Sequence, residues 1–251
     1  MLFLWFSFGP DSSALLASVQ SAKLFAADPE DRFVVLEERN RPIWPKERGE
    51  LLKMGVQIGQ RRGIRNLNGS KQAVVSVATA MLAHSDSSEL IWKIDSDTMV
   101  FDRTWRERLG CFDLLGPKSV QPLVALGMSY IIRASAVLDI MDRLDAWDDY
   151  SASGWPEDAV ISIEAQRAGA SADLVPFDFN GGPASWCGWS YKPTATSASY
   201  LPYSVVSFGN RFRLTGSDSE RRQKCGEVMM KLLQERRRVD IPLAENAFRQ
   251  S

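Results

Sequence analysis

This 251-residue chain contains little cysteine, no surplus of charge of either sign and no long apolar run. Its three cysteines, at 111, 187 and 225, are too few and too widely spaced for a disulfide framework or a zinc site, so a reducing, cytoplasmic setting is expected. A formal net charge of −1 gives no electrostatic case for nucleic acid or an anionic membrane as the main partner. Because no run of about 18 apolar residues occurs, no membrane span is predicted.

Apolar runs of strand length alternate with helical patterns over most of the chain. Residues 2–8 form a continuous apolar run closed by Gly-Pro, which is typical of a parallel strand covered on both faces rather than of a signal peptide. The alternation predicts an α/β fold with an open, mostly parallel central sheet flanked by helices, in one domain spanning 1–251. Further strands are expected at 32–37, 90–94, within 119–133, at 172–179 and within 203–214; helices are expected at 12–27, 70–84, 103–112, from about 134, within 154–170 and at 217–239, with a surface connection at 39–49.

The stretch ELIWKIDSDTMVF, residues 89–101, delivers two aspartates to the end of an apolar strand. Open parallel sheets bind ligands at the carboxyl ends of their strands, which is where Asp95 and Asp97 are placed. A pair of carboxylates with water and phosphate oxygens suits Mg²⁺ or Mn²⁺. The partner of these acids is therefore expected to be a ligand, and the structural alternative is that they only cap the strand or the next turn.

Four segments occur in the order found in nucleotide-sugar-dependent glycosyltransferases of the GT-A fold, and the sequence resembles that family. They are LFLWFSFGPDS at the first strand, NGSK at a helix start, the Asp-x-Asp motif DSD, and WPEDAVIS about sixty residues later. The resemblance covers the chain to about residue 212. It implies a GT-A-like (Rossmann-like) sheet and transfer of a sugar from a nucleoside diphosphate-sugar, more often UDP than GDP, to a carbohydrate or other hydroxyl acceptor, with inversion favoured over retention.

The resemblance also implies roles for the four acids. The Asp-x-Asp of the family holds a divalent cation against the donor diphosphate, which assigns direct ligation to Asp97 and contact through ribose or water to Asp95. Asp158 is implied as the general base, with Glu157 beside it, because an attacking hydroxyl must lose its proton as the new bond forms. The alternative for Glu157 and Asp158 is ordinary stabilisation by the helix dipole in a first turn.

The matching C-terminal segment, VVSFGNR, departs from the family pattern. Many metal-dependent members supply a third ligand there, often a histidine, whereas this segment offers Ser207 and Asn210. The cation is expected to bind through the two carboxylates and water, to use Asn210 as well, or to bind without high affinity. The chain's one histidine, His84, is expected at a helix end as a surface or capping residue.

Basic and aromatic residues complete the set of candidates. Helix N-termini and basic groups favour phosphate, and sugar rings pack their C–H faces on aromatic side chains. Exposed charge, lid packing and helix-entry packing are the ordinary explanations for the same residues. The donor candidates are Phe8, Lys71 and Arg65, with Arg61, Arg62, Arg211 and Arg213 as further basic groups; the acceptor candidates are Trp155, Trp186 and Trp189, with Tyr191.

Two other functions compete with the glycosyltransferase. One is a nucleotidyltransferase or similar Mg²⁺-dependent α/β enzyme, although FGPDSSA is not the glycine- and basic-rich phosphate loop that such enzymes usually carry after the first strand. The other is a GT-A-like protein without catalysis that serves as a binding or partner subunit. The missing histidine and the loop rich in aromatic residues are the features that favour this second alternative.

Overall fold

The structure is a computed structural model that describes residues 1–61, 71–108, 112–118, 125, 129–143, 156–175, 177–178, 187–189, 204–208 and 216–248. Within that set, only the backbone is described at 177–178, 187–189 and 239–248. The strands are β1 Leu2–Ser7, β2 Arg32–Glu38, β3 Gln57–Arg61, β4 Leu90–Asp95, β5 Thr98–Val100, β6 Leu114–Pro117, β7 Ser129–Arg133, β8 Ala172–Val175, β9 Phe177–Asp178, β10 Cys187–Trp189 and β11 Val205–Ser207. The α-helices are α1 Ser12–Phe25, α2 Pro45–Lys53, α3 Lys71–Ala83, α4 Thr104–Glu107, α5 Ala134–Asp142, α6 Glu157–Arg167 and α7 Asp218–Phe248, and a 3₁₀ turn occupies Gly9–Asp11.

Seven strands form a central sheet in the order β3-β2-β1-β4-β7-β6-β8. Every neighbouring pair is parallel except the two that involve β7, which runs against both β4 and β6. The prediction of an α/β fold with a mostly parallel sheet is therefore confirmed. Because β7 is reversed, its first residues lie at the edge where β1, β2, β3 and β4 end.

A second sheet, which the sequence analysis did not predict, has the order β5-β11-β10-β9. Its β5 follows β4 after a two-residue turn and pairs antiparallel with β11, so that Thr98 lies opposite Ser207. This small sheet holds the chain immediately after the strand that carries Asp95.

The two faces of the central sheet bury separate apolar layers. Along β1, Leu2 and Leu4 pack on the side of α3, α5 and α6, whereas Phe3 and Trp5 pack on the side of α1 and α2. This arrangement explains the unbroken apolar run, since a strand covered on both faces has no solvent side. The long helix α7 packs against α1 and contributes Met229 to a third cluster with Phe208.

Three boundaries differ from the sequence prediction. The connection at 39–49 contains the start of α2, because Pro45 fits the first turn of a helix and Leu51 is buried beneath it. Of the helix expected at 103–112, the described residues form α4, and residues 109–111 lie outside the described part. The last helix continues to Phe248, beyond the expected end at 239. None of the described helices is long and apolar enough to cross a membrane.

Candidate functional site

The two aspartates of the DSD motif lie where β4 leaves the central sheet. Asp95 is the last residue of β4, and Asp97 lies in the turn to β5. The backbone carbonyl of Asp97 accepts a hydrogen bond of 2.7 Å from the Phe208 amide, directly after β11. The turn is thus held from both sides, by the central sheet and by the small sheet. Both aspartates are half-buried at this edge.

Asp95 has a partner that the sequence analysis did not predict. The ammonium Nζ of Lys93 lies 2.5 Å from Oδ1 of Asp95. Residues two apart on a strand point to the same face, so the lysine of LIWKI is aimed at the acid that follows. The side chain of Asp95 is 42% exposed, whereas Lys93 is 6% exposed. The buried ammonium of Lys93 is therefore a protein partner of Asp95, in addition to the ligand that the sequence predicts.

The second acid pair, Glu157 and Asp158, begins helix α6. The chain enters this helix from Pro156, which is extended, and Asp158 is buried with 8% exposure while Glu157 is half-buried. The pKa of the Asp158 carboxyl is raised from 3.8 to about 7, and burial is the largest cause. The charge of Lys93 has the second-largest effect and lowers the pKa, whereas the charges of Glu157 and Asp95 raise it further. Asp95 and Asp158, predicted from separate parts of the sequence, are therefore close enough for their charges to interact.

Tyr130 covers the same buried charges from β7. It lies directly opposite Lys93 in the sheet register, with its ring centroid 5.7 Å from the lysine Nζ. Burial, followed by the negative charges of Asp158, Glu157 and Asp95, raises the pKa of the Tyr130 phenol well above its ordinary value. Its hydroxyl is buried and has no hydrogen-bond partner among the described residues.

Lys93 stays charged in this setting. Burial alone would lower the pKa of its ammonium, but the attraction of Asp95, then Asp158 and Glu157, outweighs burial and raises the pKa above 10.5. The site thus contains one buried cation among three carboxyl groups. The sequence carried a signal for it, namely a lysine inside an apolar strand at the same parity as Asp95.

Arg61 brings a second cation to the same edge, at the end of β3. Its guanidinium lies 4.5 Å from the ring centroid of Phe6, and Phe6 is the β1 neighbour of Asp95 in the sheet register. Burial lowers the pKa of Arg61, while the charges of Glu38 and Glu157 oppose that effect. The residue considered as part of a basic loop is therefore the end of a strand that the sequence analysis did not predict.

Phe8 and Lys71 have different surroundings. Phe8 is buried, and the guanidinium groups of Arg41 and Arg222 lie 4.6 Å and 4.7 Å from its ring centroid. Arg222 also pairs with Asp11 at 2.5 Å, which joins the 3₁₀ turn after β1 to α7. Lys71 is exposed as the first residue of α3.

The other candidates predicted from the sequence lie outside the described residues. They are Arg62, Arg65, Trp155, Trp186, Tyr191, Asn210, Arg211, Arg213 and the side chain of Trp189.

The described donor atoms fit a divalent cation only in part. Carboxylates are suitable ligands, and Asp95 and Asp97 present two of them at one turn. However, no group of three or more His, Cys, Asp or Glu residues that could hold a metal ion occurs in the described part of the chain. His84 lies in the turn after α3, where its carbonyl accepts a hydrogen bond of 2.8 Å from Arg32. A full metal shell would therefore need Asn210, water or oxygen atoms of a substrate.

Comparison with known proteins gives structural likenesses only. No family model matches the chain, and no curated protein matches its sequence. Two crystal structures of the galactosyltransferase LgtC are similar in fold: one in complex with donor and acceptor sugar analogs, with a TM-score of 0.49, and one of an active-site mutant, with a TM-score of 0.48. Each is 10% identical to this chain and covers 91% of it and 96% of the LgtC chain.

Proposed function

We propose that this protein is a glycosyltransferase that moves a sugar from a nucleoside diphosphate-sugar, UDP before GDP, to a hydroxyl acceptor, with inversion and with a divalent cation. The observation that supports it is a buried carboxyl, Asp158, with a pKa of about 7 that the charge of the strand-end acid Asp95 helps to raise. The helix dipole does not account for Asp158, because a dipole favours the charged form of a first-turn acid and would lower its pKa. A carboxyl poised near neutrality is suited to accept a proton.

In the proposed reaction, Asp158 accepts the proton of the acceptor hydroxyl while the hydroxyl oxygen attacks the anomeric carbon. The bond from that carbon to the diphosphate breaks, and the nucleoside diphosphate leaves with the bonding electrons. Lys93 keeps Asp158 able to ionise in a buried position, because its positive charge opposes the effect of burial. Asp97 and Asp95 would hold the divalent cation, which offsets the charge of the leaving diphosphate when bound.

The remaining sequence candidates keep their roles as proposals. We assign Phe8, Lys71 and Arg65 to the donor side, Trp155, Trp186 and Trp189 to the acceptor side, and Asn210 to the cation. The assignment of Asn210 is supported by a backbone hydrogen bond two residues earlier, in which the Phe208 amide donates to the carbonyl of Asp97 in the DSD turn. A single domain over residues 1–251 is part of the same proposal.

Substitution of Asp97 by alanine tests the proposal. We expect Asp97→Ala to lose cation-dependent donor hydrolysis and sugar transfer, measured as release of nucleoside diphosphate across a panel of UDP- and GDP-sugars with Mn²⁺ or Mg²⁺. Asp139→Asn, which removes a charge from the exposed face of α5, is the control. An Asp97→Ala protein that turns over donor at the rate of the unsubstituted protein would contradict the assignment.

A nucleotide-binding screen separates this function from its two rivals. Thermal shift with UDP, GDP and UDP-sugars, each with and without Mn²⁺, is expected to show stabilisation by a nucleoside diphosphate or its sugar. A preference for nucleoside triphosphates would favour a nucleotidyltransferase instead. An absence of any nucleotide response would favour a binding or partner protein.

A further inference from the structure

Lys93 occupies a position where an apolar residue would be expected. On the same face of β4, Ile91 packs into the apolar layer beneath α3, α5 and α6. An ammonium group taken out of water loses its hydration and needs charged partners in compensation. At 6% exposure, Lys93 has three carboxyl groups of the candidate site among the partners that offset this cost, namely Asp95, Asp158 and Glu157.

The partners of Lys93 come from both halves of that site. Asp95, on the donor side, receives a hydrogen bond of 2.5 Å from its Nζ. Asp158 and Glu157, on the acceptor side, interact with its charge from the start of α6. The ring of Tyr130 lies over the ammonium from β7. One cation is therefore the common neighbour of carboxyl groups on a strand end and on a helix start.

We propose that Lys93 is a positioning residue that holds the strand-end acid Asp95 and the helix-start acid Asp158 in fixed relation around one buried ammonium group. The proposal rests on the proposed function for the roles of the two acids. It adds that the donor half and the acceptor half are set by the same side chain. Loss of the ammonium should therefore affect both halves together, whereas a purely structural lysine would affect only the fraction of folded protein.

The contacts of Lys93 give this arrangement its charge balance, because the buried ammonium is hydrogen-bonded to Asp95 and lies beneath the ring of Tyr130. In return, Lys93 opposes the rise in the pKa of Asp158 that burial and the neighbouring acids produce. The groups that face Asp158 electrostatically are thus Lys93 and Asp95 on β4, Tyr130 on β7 and Glu157 on its own helix.

Steady-state kinetics of Lys93→Met and Lys93→Arg test the positioning role. We expect Lys93→Met to raise KM for the donor and to lower kcat by about 100-fold, because small displacements of catalytic groups cost about that much. Lys93→Arg, which keeps the charge, should recover part of kcat. The control is Lys53→Met, which removes the exposed ion pair between Lys53 and Glu50 at 2.7 Å. Unchanged kcat and KM per folded Lys93→Met molecule would overturn the proposal.

A second measurement requires no substrate. Melting temperatures at pH 8 are compared for Lys93→Met, Asp158→Asn and the double variant. Loss of the ammonium removes the attraction that opposes burial of Asp158, so Asp158→Asn should raise the melting temperature by about 5 °C or more beyond its effect in the unsubstituted protein. Additive shifts would overturn the link between Lys93 and Asp158. Coupled shifts in a protein that transfers no sugar would instead refute the proposed function and leave the charge cluster in place.

Discussion

Replacing Asp158 by asparagine should stabilise the protein at neutral and alkaline pH. The carboxyl is 8% exposed, and its pKa is raised from 3.8 to about 7 in the folded protein. A group whose pKa is higher in the folded state than in the unfolded state favours folding in its protonated form. Its contribution is complete below pH 3.8 and is lost as the pH rises through about 7, where ionisation occurs in a buried position. Asparagine keeps the shape without the ionisation.

The size of the effect follows from the shift in pKa. A difference of about three pKa units corresponds to ~4 kcal/mol in the free energy of unfolding, at about 1.4 kcal/mol for each unit. The advantage of Asp158→Asn should be below ~1 kcal/mol at pH 4 and should reach ~4 kcal/mol above pH 8. For a chain of this length, the larger value corresponds to a melting temperature raised by roughly 10 °C.

Denaturant unfolding between pH 4 and pH 9, followed by tryptophan fluorescence, measures the difference directly. Asp139→Asn serves as the control, since it removes an exposed aspartate from α5 and should leave the pH dependence of unfolding as it is. If the stability difference between Asp158→Asn and the unsubstituted protein is the same at every pH, the carboxyl does not ionise near neutrality. The argument for Asp158 as the base would then be refuted. Loss of sugar transfer alone would not decide this question.

Three further substitutions probe packing, two of them in helices and one in the candidate site. Gly226→Ala should lower the free energy of unfolding by roughly 1–3 kcal/mol, because an added Cβ would lie 2.6 Å from Cβ of Ser13. Gly49→Ala places its new Cβ with no atom within 4 Å, so it should stabilise helix α2 by up to about 1 kcal/mol. Equal melting temperatures for the two variants would contradict the close approach of α7 to α1. Tyr130→Phe should raise the free energy of unfolding by about 1 kcal/mol, because it removes a buried hydroxyl that has no hydrogen-bond partner among the described residues. A clear loss of stability in calorimetry would contradict the absence of such a partner.

The sequence by itself determined the fold class and the positions of the four acids along the chain. The apolar run of β1, the helical spacing in α1 and the strand before Asp95 are local patterns, and each forms the element that its period requires. For the same reason, Asp95 was predicted at a strand end and Asp158 at a helix start. The alternation of strands and helices was enough to predict a mostly parallel sheet.

Only the tertiary structure decided how these pieces meet. The reversal of β7 places Tyr130 over Lys93, and the packing of α6 brings Asp158 into the field of the same ammonium. The period of two along β4 already placed Lys93 on the face of Asp95, but a pattern shows which face a side chain takes and not what covers it. The raised pKa of Asp158 depends on burial and on charges that are distant in sequence, so it arises only when the chain is folded.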